Sequence, residues 1–73
     1  MTDKLDCRKL MCPLPLVRIS QAMKALSPGD TLEVTAEDPA FDADVRAWCK
    51  QMGQRLLSLS KQGTESVAIL EKA

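Results

Sequence analysis

Met11-Cys12-Pro13-Leu14-Pro15 decides how this chain folds, because two prolines so close together are best accommodated where a helix begins. Pro13 biases Cys12 toward the extended conformation of a capping residue, and its own fixed φ suits a first helical position. Cys12 is therefore expected as the N-cap. Pro13 and Pro15 delete backbone donors that have no partner in a first helical turn anyway. The Cys12 sulfur then stands at the positive end of the helix dipole, beside the free N–H of Leu14, where a thiolate is favoured.

The dipole contributes roughly 0.3 to 1 kcal/mol to an exposed anion, so on its own it lowers a thiol pKa of about 8.5 by less than one unit. Arg8, Lys9 and Arg18 lie close in sequence and add to the shift, as reactive cysteines require electropositive surroundings. Read without chemistry, Cys12 is a poorly chosen cap, since Ser, Thr, Asp and Asn satisfy helix N–H groups far better than sulfur does. That mismatch points to function.

Seventy-three residues suffice for one domain, 1–73, with a small core. The polar start Met1-Thr2-Asp3-Lys4-Leu5-Asp6 does not resemble a signal peptide, and no apolar run approaches transmembrane length. A soluble cytoplasmic protein without a membrane role is expected. Its three cysteines then read as reduced thiols instead of a disulfide framework. The net charge of zero conceals blocks of plus three over residues 1–26, minus six over 27–45 and plus three over 46–73. Such blocks either present opposite potentials to a protein partner or are simply solvated faces. Direct nucleic-acid binding is not expected, because Phe41 and Trp48 are the only aromatic residues and there is no net positive charge.

The apolar spacing predicts a strand over Lys4 to Cys7 and a helix whose buried stripe is Leu16, Ile19, Met23 and Leu26, with Ala22 beside it. Ser27-Pro28-Gly29-Asp30 marks a turn, after which Leu32, Val34 and Ala36 alternate with polar residues in a second strand. Asp38 and Pro39 read as the cap and first position of a second helix with the stripe Phe41, Val45, Trp48 and Met52, ended by Gly53. Leu57 and Leu59 alternate with Ser58 and Ser60, and Val67 to Leu70 complete a terminal hairpin across Gly63. The order is β-α-β-α-β-β. Two helices with one stripe each predict a single helical layer on one face of the sheet, an α+β fold.

Leu5-Asp6-Cys7-Arg8-Lys9-Leu10-Met11-Cys12-Pro13-Leu14-Pro15 resembles the signature of the TusA/SirA/YedF family of small sulfur-carrier proteins, with its Cys-Pro-x-Pro at the start of the first helix. Trp48-Cys49-Lys50-Gln51-Met52-Gly53 and Leu56-Leu57 resemble the family's second helix and third strand, so the likeness covers nearly the whole chain. The resemblance implies a two-layer α/β sandwich with a mixed four-stranded sheet. It further implies a sulfurtransferase in which Cys12 carries sulfur as a persulfide, received from a cysteine desulfurase or rhodanese-like donor and relayed to an acceptor protein. Downstream uses in such families include tRNA thiolation, molybdenum-cofactor maturation and sulfur metabolism. No cofactor is implied. The family usually has glycine where this chain has Lys9; glycine there permits positive φ, so Lys9 implies a strained turn or a different loop path.

The residues agree with a carrier that borrows acid and base groups from its partners. There is no histidine, and Pro15 occupies the place of the second cysteine of a Cys-x-x-Cys pair. Cys7 reads either as a resolving thiol for Cys12 or as a small buried residue of the first strand. Cys49 borders the second helical stripe and reads as core. A zinc site from Cys7, Cys12 and Cys49 is disfavoured by the spacing. The alternatives to sulfur relay are a non-catalytic interaction module of the same fold and a thiol redox sensor using Cys12 and Cys7.

Overall fold

The structure, a computed structural model, describes residues 2–11 and 13–73. They form, in order, β1 (Thr2–Cys7), α1 (Leu14–Lys24), β2 (Thr31–Ala36), α2 (Phe41–Met52), β3 (Arg55–Gln62) and β4 (Glu65–Glu71). The expected β-α-β-α-β-β order and the α+β class are both present. None of the helices formed by the described residues is long and apolar enough to cross a membrane.

Alternation in β2 buries Leu32, Val34 and Ala36 and leaves Thr31, Glu33 and Thr35 half-buried on the opposite face. In β4 the same two-residue period buries Ser66, Ala68 and Leu70. These two strands are the interior of a sheet of order β1-β2-β4-β3. β1 runs parallel to β2, while β4 is antiparallel to both β2 and β3, so the sheet is mixed. Register aligns Leu5, Val34, Ala68 and Leu59 in one row across all four strands. From the helices, Ile19 and Met23 of α1 and Phe41, Val45 and Cys49 of α2 join the same core.

Three side chains depart from the predicted pattern. Leu57 was expected to face the core with Leu59, but it is 52% exposed, and Leu56 packs inward instead. The cause is a bulge between Leu56 and Ser58: Leu56 pairs with Leu70 and Ser58 with Ile69, leaving Leu57 as the extra residue. Met52 of the predicted α2 stripe is also exposed, because the helix ends there and Gly53 turns the chain away at φ 71°. Trp48 is only half-buried, and Cys49 fills the inward position, as expected of a core residue.

The start of α2 differs as well. Ala40, not Asp38, occupies the N-cap position, and Phe41 is the first helical residue. Asp38 acts two residues earlier, its Oδ1 accepting from Ala40 N–H at 3.0 Å and its carbonyl accepting from Phe41 N–H at 3.0 Å. A carboxylate reaching two residues forward closes an Asx turn that delays the helix. Leu26 is buried beyond the end of α1, held by a turn from its N–H to the Met23 carbonyl. Lys72 ties this corner to the last strand, with Nζ donating to the Met23 carbonyl at 2.6 Å and its own carbonyl accepting from Gly29 N–H at 2.9 Å.

The bulge separates two neighbouring leucines by environment. Leu70→Ala, at a fully buried position of β4, should lower unfolding free energy by about 2 to 5 kcal/mol. Leu57→Ser should stay within about 0.5 kcal/mol of the parent. Urea denaturation of both variants measures the difference; equal losses would contradict the bulge.

Candidate functional site

Cys12 lies outside the described residues, and the segments before and after it in sequence are described. On the C-terminal side, Pro13 occupies the N-cap position of α1 with φ −96° and ψ 13°, one residue later than the expected cap. Pro15 is the second helical residue and is buried, while Pro13 is exposed. A turn precedes the helix: Leu14 N–H donates to the Met11 carbonyl at 2.8 Å. Leu16 N–H donates to the Pro13 carbonyl at 3.1 Å, and Val17 N–H to the same oxygen at 3.2 Å. The expected free N–H of Leu14 is therefore absent. With Pro15 lacking a donor, the first three helical residues present no unpaired N–H to an anion. Favourable electrostatics for a thiolate here must come mainly from side-chain cations.

On the N-terminal side, the loop leaves β1 through a tight turn in which Leu10 N–H donates to the Cys7 carbonyl at 3.1 Å. Among the described residues, which include Lys9, no residue other than glycine has positive φ. Lys9 thus lies on a loop path free of the positive-φ strain that replacing glycine threatened.

That path is fixed by Asp6 and Arg8. Arg8 Nε donates to Asp6 Oδ1 at 2.9 Å and Arg8 Nη2 to Oδ2 at 2.9 Å, a bidentate fork, while Arg8 N–H donates to Oδ1 at 3.1 Å. Arg8 Nη1 also approaches Glu65 at 3.8 Å. The Arg8 hydrogen bonds hold the Asp6 carboxyl down at about 2, and the pairing raises the Arg8 pKa in turn.

Arg8, Lys9 and Arg18, the three predicted supporting cations, line one cleft of about 540 Å³ together with Leu5, Asp6, Leu10 and Glu37. Arg8 is committed to Asp6, whereas neither Lys9 nor Arg18 makes an ion pair with a described carboxylate. Two uncommitted cations and one glutamate thus stand beside the chain leading to Cys12. Sequence reasoning passed over Asp6, Glu37 and Glu65. Only Asp6 carried a local signal, an aspartate two residues before an arginine, suited to an Asx turn.

Cys7 is fully buried, and burial first and the Asp6 charge second push its thiol pKa up, with Arg18 opposing. Burial raises Cys49 likewise. Both are free thiols held in the protonated, poorly nucleophilic form at neutral pH. Among the described residues no group of three or more Cys, Asp or Glu side chains is placed to hold a metal ion.

The family model described as "Sulfurtransferase TusA" matches residues 3–72. The chain belongs to the TusA family. Relatives include the sulfur carrier protein TusA of Allochromatium vinosum, 34% identical over 71 residues that cover 97% of this chain and 93% of that protein. YrkI of Bacillus subtilis, named as a candidate sulfur carrier, is 43% identical over 63 residues, covering 85% of this chain and 84% of its own. An Aquifex aeolicus protein named in the same way is 39% identical over 69 residues, 94% of this chain. The chain spans only about a third of that relative's length, 35%, so the TusA unit also occurs inside longer proteins.

Two measurements probe this site. The Asp6 carboxyl, depressed from 3.8 to about 2, contributes stability that is complete above about pH 4 and is lost as pH falls toward 2. Asp6→Asn should flatten that acid limb of the stability profile, and carbon-detected NMR titration should find Asp6 ionised at pH 3. In iodoacetamide labelling at pH 8, Cys7 and Cys49 should react at least tenfold slower in the folded protein than in urea; equal rates would contradict their burial.

Proposed function

We propose that Cys12 carries sulfane sulfur as a persulfide, taken from a cysteine desulfurase or a rhodanese-like donor and handed to an acceptor protein. The observation supporting this reading is the TusA match over residues 3–72, which includes Cys12-Pro13-Leu14-Pro15 at the start of α1. In the loading step the Cys12 thiolate attacks the terminal sulfur of the donor persulfide. The donor S–S bond breaks, and its electron pair leaves on the donor cysteine sulfur, which becomes a thiol on taking up a proton. Delivery repeats the exchange, with the acceptor thiolate attacking the terminal sulfur held on Cys12. Neither step requires an external oxidant or reductant.

The chain's own residues serve this exchange in three ways. Lys9 and Arg18 favour the anionic sulfur on both sides of the transfer. The Asp6–Arg8 fork holds the preceding loop, and Pro13 and Pro15 set where the helix begins. Burial keeps Cys7 from competing as a resolving thiol, which favours relay over a Cys12–Cys7 redox sensor. Residues 1–73 act as one carrier domain in this reading, and the free Cys7 and Cys49 thiols suit the reducing cytoplasm. Transfer-RNA thiolation, molybdenum-cofactor maturation and sulfur metabolism are all compatible destinations.

Incubation of the reduced protein with a cysteine desulfurase and cysteine, followed by intact-mass measurement, tests the proposal. The expected result is a dithiothreitol-reversible gain of one sulfur atom that maps to Cys12 and is absent from Cys12→Ala. No gain, repeated with a rhodanese and thiosulfate, would overturn the carrier reading and favour an interaction module of the same fold.

A further inference from the structure

Two cations and one carboxylate in the cleft at the end of β1 have no partner. Arg8 and Asp6 satisfy one another through their bidentate fork. Lys9, Arg18 and Glu37 line the same cleft and make no hydrogen bond or ion pair with any described residue. Glu37 acts on Arg8 only through its charge. Single solvated charges are common on a surface; here three of both signs border one concavity without pairing among themselves.

The three come from different parts of the chain. Lys9 lies in the stretch that leads into Cys12, Arg18 in α1, which follows it, and Glu37 directly after β2. Leu5 and Leu10, half-buried against the core, give the cleft an apolar wall. Its volume of about 540 Å³ falls within the roughly 300 to 1,000 Å³ of small-molecule sites.

These groups specify a ligand by its charges. A free carboxylate takes an ammonium group, two free cations take carboxylate or sulfur anions, and an apolar wall takes a methylene stem. An amino-acid head on a short thiol combines all of these. Cysteine presents one carboxylate, one ammonium and a sulfur anion for the second cation. A peptide of the glutathione type presents a second carboxylate as well.

We propose that this cleft binds a small thiol with an amino-acid head and exchanges sulfane sulfur between it and Cys12 without a second protein. The exchange rests on the sulfur-carrier reading. In unloading, the bound thiolate attacks the terminal sulfur of the Cys12 persulfide. The S–S bond breaks, its electron pair stays on the Cys12 sulfur, and that sulfur takes up the proton the small thiol gave up. The small thiol leaves as a persulfide. Loading is the reverse, and neither direction consumes an oxidant or a reductant.

The test loads the reduced protein with inorganic polysulfide, removes the excess, adds a thiol and follows intact mass. Cysteine, glutathione, N-acetylcysteine, which lacks the ammonium group, and neutral 2-mercaptoethanol are compared at equal thiolate concentration. Cysteine or glutathione should unload Cys12 about tenfold faster than 2-mercaptoethanol, with a rate that saturates as the thiol is raised. N-acetylcysteine should fall about threefold below cysteine. Lys9→Gln with Arg18→Gln should bring the tenfold ratio down to about one, and Glu37→Gln should make cysteine and N-acetylcysteine equal. Circular dichroism checks that each variant is folded.

A preference for cysteine alone identifies an amino acid as the ligand, and a preference for glutathione alone identifies a peptide; either supports the proposal. No preference over 2-mercaptoethanol overturns it, as does a preference that survives Lys9→Gln with Arg18→Gln. Both results leave the carrier reading standing, since Cys12 was loaded before the thiol was added. Failure to gain sulfur from polysulfide, from a desulfurase and from a rhodanese overturns the carrier reading and the exchange together.

Discussion

The parallel pairing of β1 with β2 is the constraint from which the site follows. Parallel neighbours cannot be joined by a tight turn, so the chain must cross over between them, and α1 is that crossover. The crossover brings the start of α1 to the end of the sheet where β1 and β2 both terminate. Cys7 and Ala36 are paired there, and the residues that immediately follow, Arg8, Lys9 and Glu37, line one cleft with Arg18 of α1. β4 begins at the same end, which brings Glu65 within reach of Arg8. Carboxyl ends of parallel strands are recurrent locations for function because loops and helix starts converge on them.

Within that frame, the accounting of backbone donors changes how a thiolate is favoured. A helix start usually offers several unpaired N–H groups; here Met11 accepts one, Pro15 removes another and Pro13 accepts the third. In the proposed carrier, the electrostatic work passes from the backbone to Lys9 and Arg18, exposed side chains that line the cleft. Charge of that kind is screened by salt and adjustable by a partner's own charges, whereas backbone amides are fixed.

Much of this was legible in the sequence. Alternation in β2 and the Phe41, Val45 spacing in α2 reflect burial on one face, and burial imposes a regular period. Gly53 announced its left-handed turn in the same direct way. The readings that failed depend on where a local hydrogen bond closes. At Cys12 and Asp38 the expected cap precedes the observed one, by one residue and by two, because a turn intervenes in each case. At Leu57 an extra residue reversed the alternation, and nothing in Leu56-Leu57-Ser58-Leu59 distinguishes a bulge from a continuous strand. The parts that Glu37 and Glu65 play beside the Asp6–Arg8 fork required knowledge of which strands are neighbours.

The sheet order carries a consequence for how the chain comes to be folded. β4 is synthesised after the other three strands, yet it lies between β2 and β3, and Ala68 and Leu70 complete the core rows of both. A nascent chain displaying only β1 to β3 has no partner for the inner edges of β2 and β3, and its α2 has no finished sheet to cover. Native assembly must therefore wait for the final strand and proceed largely through contacts distant in sequence. The protein that emerges has no stable half.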